Sequence, residues 1–247
     1  MAISTNPLAW LRSVQPRRAI ALLLLLLPLT VGAQTVRDLW LSMPPSLAPY
    51  LNTSLRTQCL DFYDMHTDAQ TDNALKGKSR IDTLTSTFLA ATLSKAHTLQ
   101  MKLLPASGSG SGSASGSASG LGSSMVSGSG SSSSLSSCDS VLCVVRSWDG
   151  PKRDSEVQLF DRQWKPLQAP LTFSADSFVC RPDTMSEERF SRLVAMLDPI
   201  MFSVSLSPAE NVLLVKLSPI VPNPEDEKAI EQILVQRKLK WNGKTFK

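Results

Sequence analysis

Asp64, His66, Asp68 and Asp72 crowd into one short stretch of the chain. Carboxylates spaced i, i+4 and i+8 share one face of a helix, and with His66 and the nearby Asp61 they supply the donors a divalent cation takes. A solvated helix face has the same spacing, and neither an EF-hand nor a zinc pattern accompanies it. His66 and His97 are the only histidines, so a hydrolase built on this chain would use one of them as its base. No motif supplies its nucleophile: Gly112-Ser-Ala-Ser-Gly116 carries alanine where a nucleophile elbow needs serine. Gly77-Lys78-Ser79 ends like a phosphate-binding loop, but Asp72 occupies the position of its first glycine. No cofactor motif is present, and no cofactor is expected.

The elements that would position these groups follow from hydrophobic spacing. Val36, Leu39, Trp40 and Met43 fall on one helical face that Pro44-Pro45 ends, and Leu47, Tyr50 and Leu51 add a turn. Thr53 or Ser54 caps a second helix, with Leu55, Cys59, Phe62 and His66 inward and the aspartates outward, predicted to run to Asn73–Gly77. From Ile81 to Phe88, and again over Leu99, Met101 and Leu103, the pattern turns to the alternation of half-buried strands, with His97 opening the second run. Val141–Trp148 and Glu156–Phe160 flank Asp149-Gly150, the signature of a hairpin. Thr184 and Glu187 form a capping box before a helix that ends at Asp198-Pro199. Strands at Met201–Leu206 and Val212–Leu217, a proline-stiffened connection and a last hairpin around Asn242-Gly243 complete the chain. The expectation is an α+β fold, N-terminal helices packed on an antiparallel, meander-like sheet.

Residues 106–137 hold eight of the chain's twelve glycines and almost nothing that packs, which predicts a long disordered insertion in one strand–strand loop. The domain reading is therefore a signal peptide over 1–33 and a single α+β domain over 34–247, interrupted at 106–137. The signal is a basic start at Arg17-Arg18, a leucine-rich run, and small residues Val31 and Ala33 at −3 and −1 of a cut. The run is too short to span a bilayer, so no transmembrane segment is expected once it is removed. Three of the 25 Lys and Arg residues and none of the 21 acids lie in 1–33, leaving 22 against 21. That balance argues against a nucleic-acid partner. Export exposes Cys59, Cys138, Cys143 and Cys180 to an oxidising compartment, where either buried inert thiols or up to two bridges in three connectivities fit the spacing.

Met43-Pro-Pro-Ser-Leu-Ala-Pro-Tyr-Leu51, Cys59-Leu-Asp-Phe-Tyr-Asp64, Leu75-Lys-Gly-Lys-Ser79 and Gln100-Met-Lys-Leu-Leu-Pro105 resemble a family of secreted proteins of unknown function from Bacteroidetes. The likeness continues through Val141–Val145, Trp164-Lys-Pro166, Asp198–Phe202 and Leu239-Lys-Trp241. It implies a periplasmic or secreted location in a Gram-negative cell envelope and brings no catalytic residues. The functional expectation is a non-enzymatic binding module for an envelope protein, peptide or glycan. A carrier cupping an apolar ligand beneath a curved sheet, and a hydrolase using His66 or His97, are the alternatives.

Overall fold

The computed structural model describes residues 34–106, 140–168, 171, 173–221 and 223–247. Residues 1–33, where a signal peptide is expected, and the Gly/Ser tract from 107 onward, with Cys138, lie outside the described residues. Two short helices open the fold, α1 (Val36–Ser42) and α2 (Thr53–Asp64). Thr35 and Asp38 form a capping box at the start of α1, satisfying amides that the first helical turn leaves without partners. The cap of α2 is Asn52, whose side chain accepts from Leu55 N–H at 2.9 Å, one residue before the expected Thr53.

Six strands then form an antiparallel meander: β1 (Thr71–Asp72), β2 (Lys78–Leu84), β3 (Phe88–Ser94), β4 (His97–Pro105), β5 (Ser140–Asp149) and β6 (Arg153–Phe160). The run from Ile81 to Phe88 is not one strand. It breaks at Thr85, whose hydroxyl accepts from Phe88 N–H at 2.9 Å, so a threonine turn does what glycine or proline ordinarily signals. β4 and β5 pair from His97↔Trp148 to Pro105↔Ser140, so the Gly/Ser tract joins neighbouring strands of the sheet. The β5–β6 hairpin forms as expected, with Asp149 opposite Arg153.

α3 (Glu187–Ala195) is capped by Ser186, not by Thr184. β7 (Phe202–Leu206), β8 (Val212–Leu217) and β9 (Arg237–Lys240) make a second antiparallel sheet. Between β8 and β9 the proline-rich connection continues into a helix that hydrophobic spacing did not predict, α4 (Pro224–Glu231), with Asn223 as cap and Pro224 in its first turn. The chain closes on the expected tight turn, in which Trp241 pairs with Phe246 and Gly243 sits at φ 92°.

The large sheet is buried on both faces, which explains the almost unbroken burial along β5. One face carries Leu89, Leu93, Leu99, Met101, Leu142 and Val144 against Val36, Leu39, Trp40 and Met43 of the N-terminal segment. Leu39, Trp40, Leu89 and Leu93 are fully buried, so the space beneath the helices that a carrier would need holds the protein's own side chains. Trp40 and Arg56 clasp the two helices: the indole donates to Arg56 C=O at 3.0 Å, and the guanidinium donates to Trp40 C=O at 3.0 Å.

The opposite face packs Leu104, Val141, Cys143 and Val145 against the small sheet and α4. Here β7 presents its outer amides to side chains of the large sheet. Phe202, Val204 and Leu206 N–H donate to Asp154 Oδ1, Ser155 Oγ and Gln100 Oε1 at 3.3, 3.1 and 2.7 Å. Lys102, which alternates with the strand residues Met101 and Leu103, is buried. Its ammonium donates to the carbonyls of Ser207, Pro208 and Glu210 at 2.6, 3.1 and 2.7 Å, tying the β7–β8 turn to the sheet, and burial lowers its pKa.

Candidate functional site

The aspartate cluster does not assemble, because α2 ends at Asp64, about two turns earlier than its spacing suggests. Met65 caps the helix and His66 follows at φ 53°, with His66 N–H donating to Tyr63 C=O and Thr67 N–H to Phe62 C=O. That is a Schellman ending with histidine in the left-handed position glycine usually takes. Asp68 and Asp72 are thereby removed from the helical face. Asp64 pairs with Arg37, which holds its carboxyl below the usual carboxylate range, and Asp72 pairs with Lys78 at 2.6 Å. Among the described residues no group of three metal-ligating side chains forms.

The two histidines are not brought together. His66 is exposed and shares an open depression of about 460 Å³ with Asp68, Arg80 and Asp82. His97 is buried at the start of β4, its Nδ1 bonded to the Tyr50 hydroxyl and its ring stacked on Trp148 at a 5.1 Å centroid distance. Burial, with Arg146 nearby, pushes its pKa down to about 4, and burial pushes the Tyr50 phenol up to about 12. A phenol that stays protonated donates to a neutral imidazole. No carboxylate contacts His97 among the described residues, so the pair lacks the third group that would orient a catalytic base. Cys59, Cys143 and Cys180 are free thiols, the first two buried, and burial raises the pKa of both Cys59 and Cys143, which makes them poor nucleophiles.

What the fold does assemble lies at one end of the large sheet. In a meander, alternate turns emerge together, and the β1–β2, β3–β4 and β5–β6 turns share this end. The β1–β2 turn is hung on Asn73, which is buried. Its Oδ1 accepts from Leu75 and Gly77 N–H, both at 3.0 Å, while its Nδ2 donates to Leu93 C=O at 2.8 Å and Ser79 Oγ at 3.1 Å. The side-chain amide approaches so closely that a Cβ on Gly77 would meet Asn73 Nδ2 at 3.1 Å, so any larger residue here pushes the Asn73 amide aside by a few tenths of an ångström.

This internally satisfied turn holds Leu75 69% exposed at its tip and Lys76 at φ 58°. Ala74 N–H donates to Tyr50 C=O at 3.0 Å. Tyr50 thus links the turn to His97 and through it to Trp148, which is 38% exposed and has the Arg146 guanidinium 5.4 Å from its ring centroid. Between the β1–β2 and β3–β4 turns lies an open depression of about 600 Å³, bordered by Leu75, Lys76, Lys78, Arg80, Thr92 and Lys95. Asp72 offsets Lys78, and Asp82 offsets Arg80 at 2.7 Å. Lys76 and Lys95 have no carboxylate partner among the described residues.

Sequence reasoning marked His97 and the segment Leu75–Ser79 but not this assembly. The usable signals were a lone asparagine before a glycine, and a tryptophan next to the Asp149-Gly150 turn.

Comparison with known proteins adds a relationship but no chemistry. A family model described as "Protein of unknown function (DUF3256)" matches residues 28–111 and 133–246. No curated protein matches the chain. A solved structure described as a domain of an uncharacterized protein from Porphyromonas gingivalis W83, a Bacteroidetes protein, superposes with a TM-score of 0.59 at 20% identity. The match covers 86% of this chain and 98% of that one, and at that identity it establishes shared fold.

Proposed function

The chain belongs to the DUF3256 family of proteins of unknown function, and from that premise we propose that it is an exported, non-enzymatic binding module of the cell envelope. Its ligand surface is the turn end of the large sheet. One observation carries this reading: the fold invests a buried asparagine and a contact-restricted glycine in holding Leu75 and Lys76 out in solvent. Burying apolar area is the main driving force of folding, so a rigid turn that keeps leucine exposed has a use outside the fold. Export follows from the leader over 1–33, with cleavage near Ala33 delivering the chain to the periplasm or beyond. An envelope protein, peptide or glycan is the partner class.

The test is capture from the native envelope with the mature chain and its Leu75→Glu variant side by side, identifying what is retained. Retention of a defined component by the parent and its loss from an equally stable variant supports the reading. Identical retention by both chains removes the turn end as the binding face.

A further inference from the structure

We propose that the turn end of the large sheet docks on an anionic phospholipid surface. This rests on the binding-module reading for its choice of surface and goes beyond it in the partner, a lipid rather than a protein, peptide or glycan. Three turns along one edge of a six-stranded meander form a row, and four strand spacings separate the first turn from the last, roughly 19 Å. Such a row presents itself to a surface better than to the tip of a single ligand.

Its chemistry is that of a membrane interface. Leu75 and Trp148 are two of five large apolar side chains exposed among the described residues, and they emerge at this one end. Leucine at a loop tip enters the acyl boundary, and tryptophan settles at headgroup level, its apolar ring and polar N–H matched to that zone. Lys76, next to Leu75 in the β1–β2 turn, and Lys95, in the β3–β4 turn, are without ion-pair partners among the described residues, and Asp72 offsets Lys78. Each unpaired lysine near an anionic leaflet contributes attraction that salt screens. The depression these lysines border, about 600 Å³, has room for a phosphate headgroup. Of the acids at this end, Asp149 is engaged by Arg153 at 2.6 Å and Glu156 by Arg146 at 2.6 Å, while Asp154, opposite Trp148, accepts only from Phe202 N–H at 3.3 Å. The free charge of the face among the described residues is therefore two cations, Lys76 and Lys95, against this one carboxylate. A solvated acidic peptide would satisfy the lysines equally well, but it gives Leu75 and Trp148 nothing to enter.

The experiment is co-sedimentation of the mature chain with vesicles of phosphatidylcholine alone and of phosphatidylcholine containing phosphatidylglycerol, at low and high salt. Three proteins are compared: the parent, the Lys76→Glu/Lys95→Glu double variant, and Leu75→Ser, each checked for an unchanged denaturation midpoint. The expected result is binding to the phosphatidylglycerol vesicles only, weakened by about tenfold or more in high salt and in the lysine variant, and reduced again by Leu75→Ser. Equal binding to both vesicle types, no binding to either, or binding unaffected by the lysine variant overturns the proposal. Absence of vesicle binding together with variant-sensitive retention of an envelope protein overturns the lipid surface alone and leaves the binding module standing. Loss of both removes the two together.

Discussion

Acidification destabilises this protein through His97. The imidazole is buried, bonded to the Tyr50 phenol and stacked on Trp148, and its pKa falls to about 4 from the 6.5 of the free side chain. A base whose folded pKa is depressed binds its proton more readily when unfolded, so stability is fully present above pH 6.5 and is lost as pH falls toward 4. Each pH unit separating the folded and unfolded values is worth about 1.36 kcal/mol, so the full loss approaches about 3 kcal/mol, of which about 2 kcal/mol appears between pH 7 and pH 5. The carboxylates held low by partners, Asp38, Asp64, Asp149 and Glu210, act in the same direction. Their contributions are present above the ordinary carboxylate pKa and fade as pH falls through their lowered values, mostly below His97's window. Urea unfolding at pH 7, 6 and 5 therefore isolates the histidine when the parent is compared with His97→Gln, which keeps a polar side chain beside Tyr50 and does not titrate. The variant is less stable at pH 7 and its midpoint is nearly flat over that range, while the parent's declines. A titration of His97 by NMR, assigned by its absence from the variant, then gives a midpoint well below 6. Parallel pH profiles for the two proteins, or a His97 midpoint at or above 6.5, would refute the burial argument.

Other substitutions probe the framework. Asn73→Ala leaves the amides of Leu75 and Gly77 without their partner and the Leu93 carbonyl with the Ser79 hydroxyl alone, and lowers unfolding free energy by about 3 kcal/mol, read from the urea midpoint. His66→Gly relieves the left-handed strain at φ 53° and raises stability by about 1 kcal/mol; a decrease would mean the His66 ring has a structural role. Lys102→Met takes their donor from the Ser207 and Pro208 carbonyls and leaves the Glu210 carbonyl to Val212 N–H alone, which costs about 2–3 kcal/mol, with faster hydrogen exchange concentrated in residues 207–210.

Legibility in the sequence followed the range of the interaction that decides each element. Pro44-Pro45 ends α1 and Asp149-Gly150 turns β5 into β6, because both signals act within a few residues. The end of α2 was not legible, since a histidine takes the position where glycine is the recognised signal, and extending the helix through it created the apparent aspartate face. Asn52 rather than Thr53 capping α2 is an error of one residue between two good capping types. The second sheet's strands could be read, but not their docking on the far face of β4–β6, and hence not the burial of Lys102: three carbonyls more than a hundred residues away accept its protons. The turn-end assembly failed for the same reason. Tyr50, Asn73, Lys95, His97 and Trp148 meet only when the meander closes.

The junction between β4 and β5 also governs how the sheet can come together in time. β3 and β4 are neighbours across Lys95 and Ala96, whereas Pro105 and Ser140 face each other across 34 intervening residues. Closing the longer loop in an unfolded chain costs about 2.5 kcal/mol more in entropy than closing the shorter one. The helices with β1–β4 form one set of local pairings and the β5–β6 hairpin another, and joining them is the step of highest sequence separation in the large sheet. That step is also the one that brings Trp148 onto His97, so the turn-end surface is completed only as the two halves meet, and shortening the tract should speed folding while leaving the finished register unchanged.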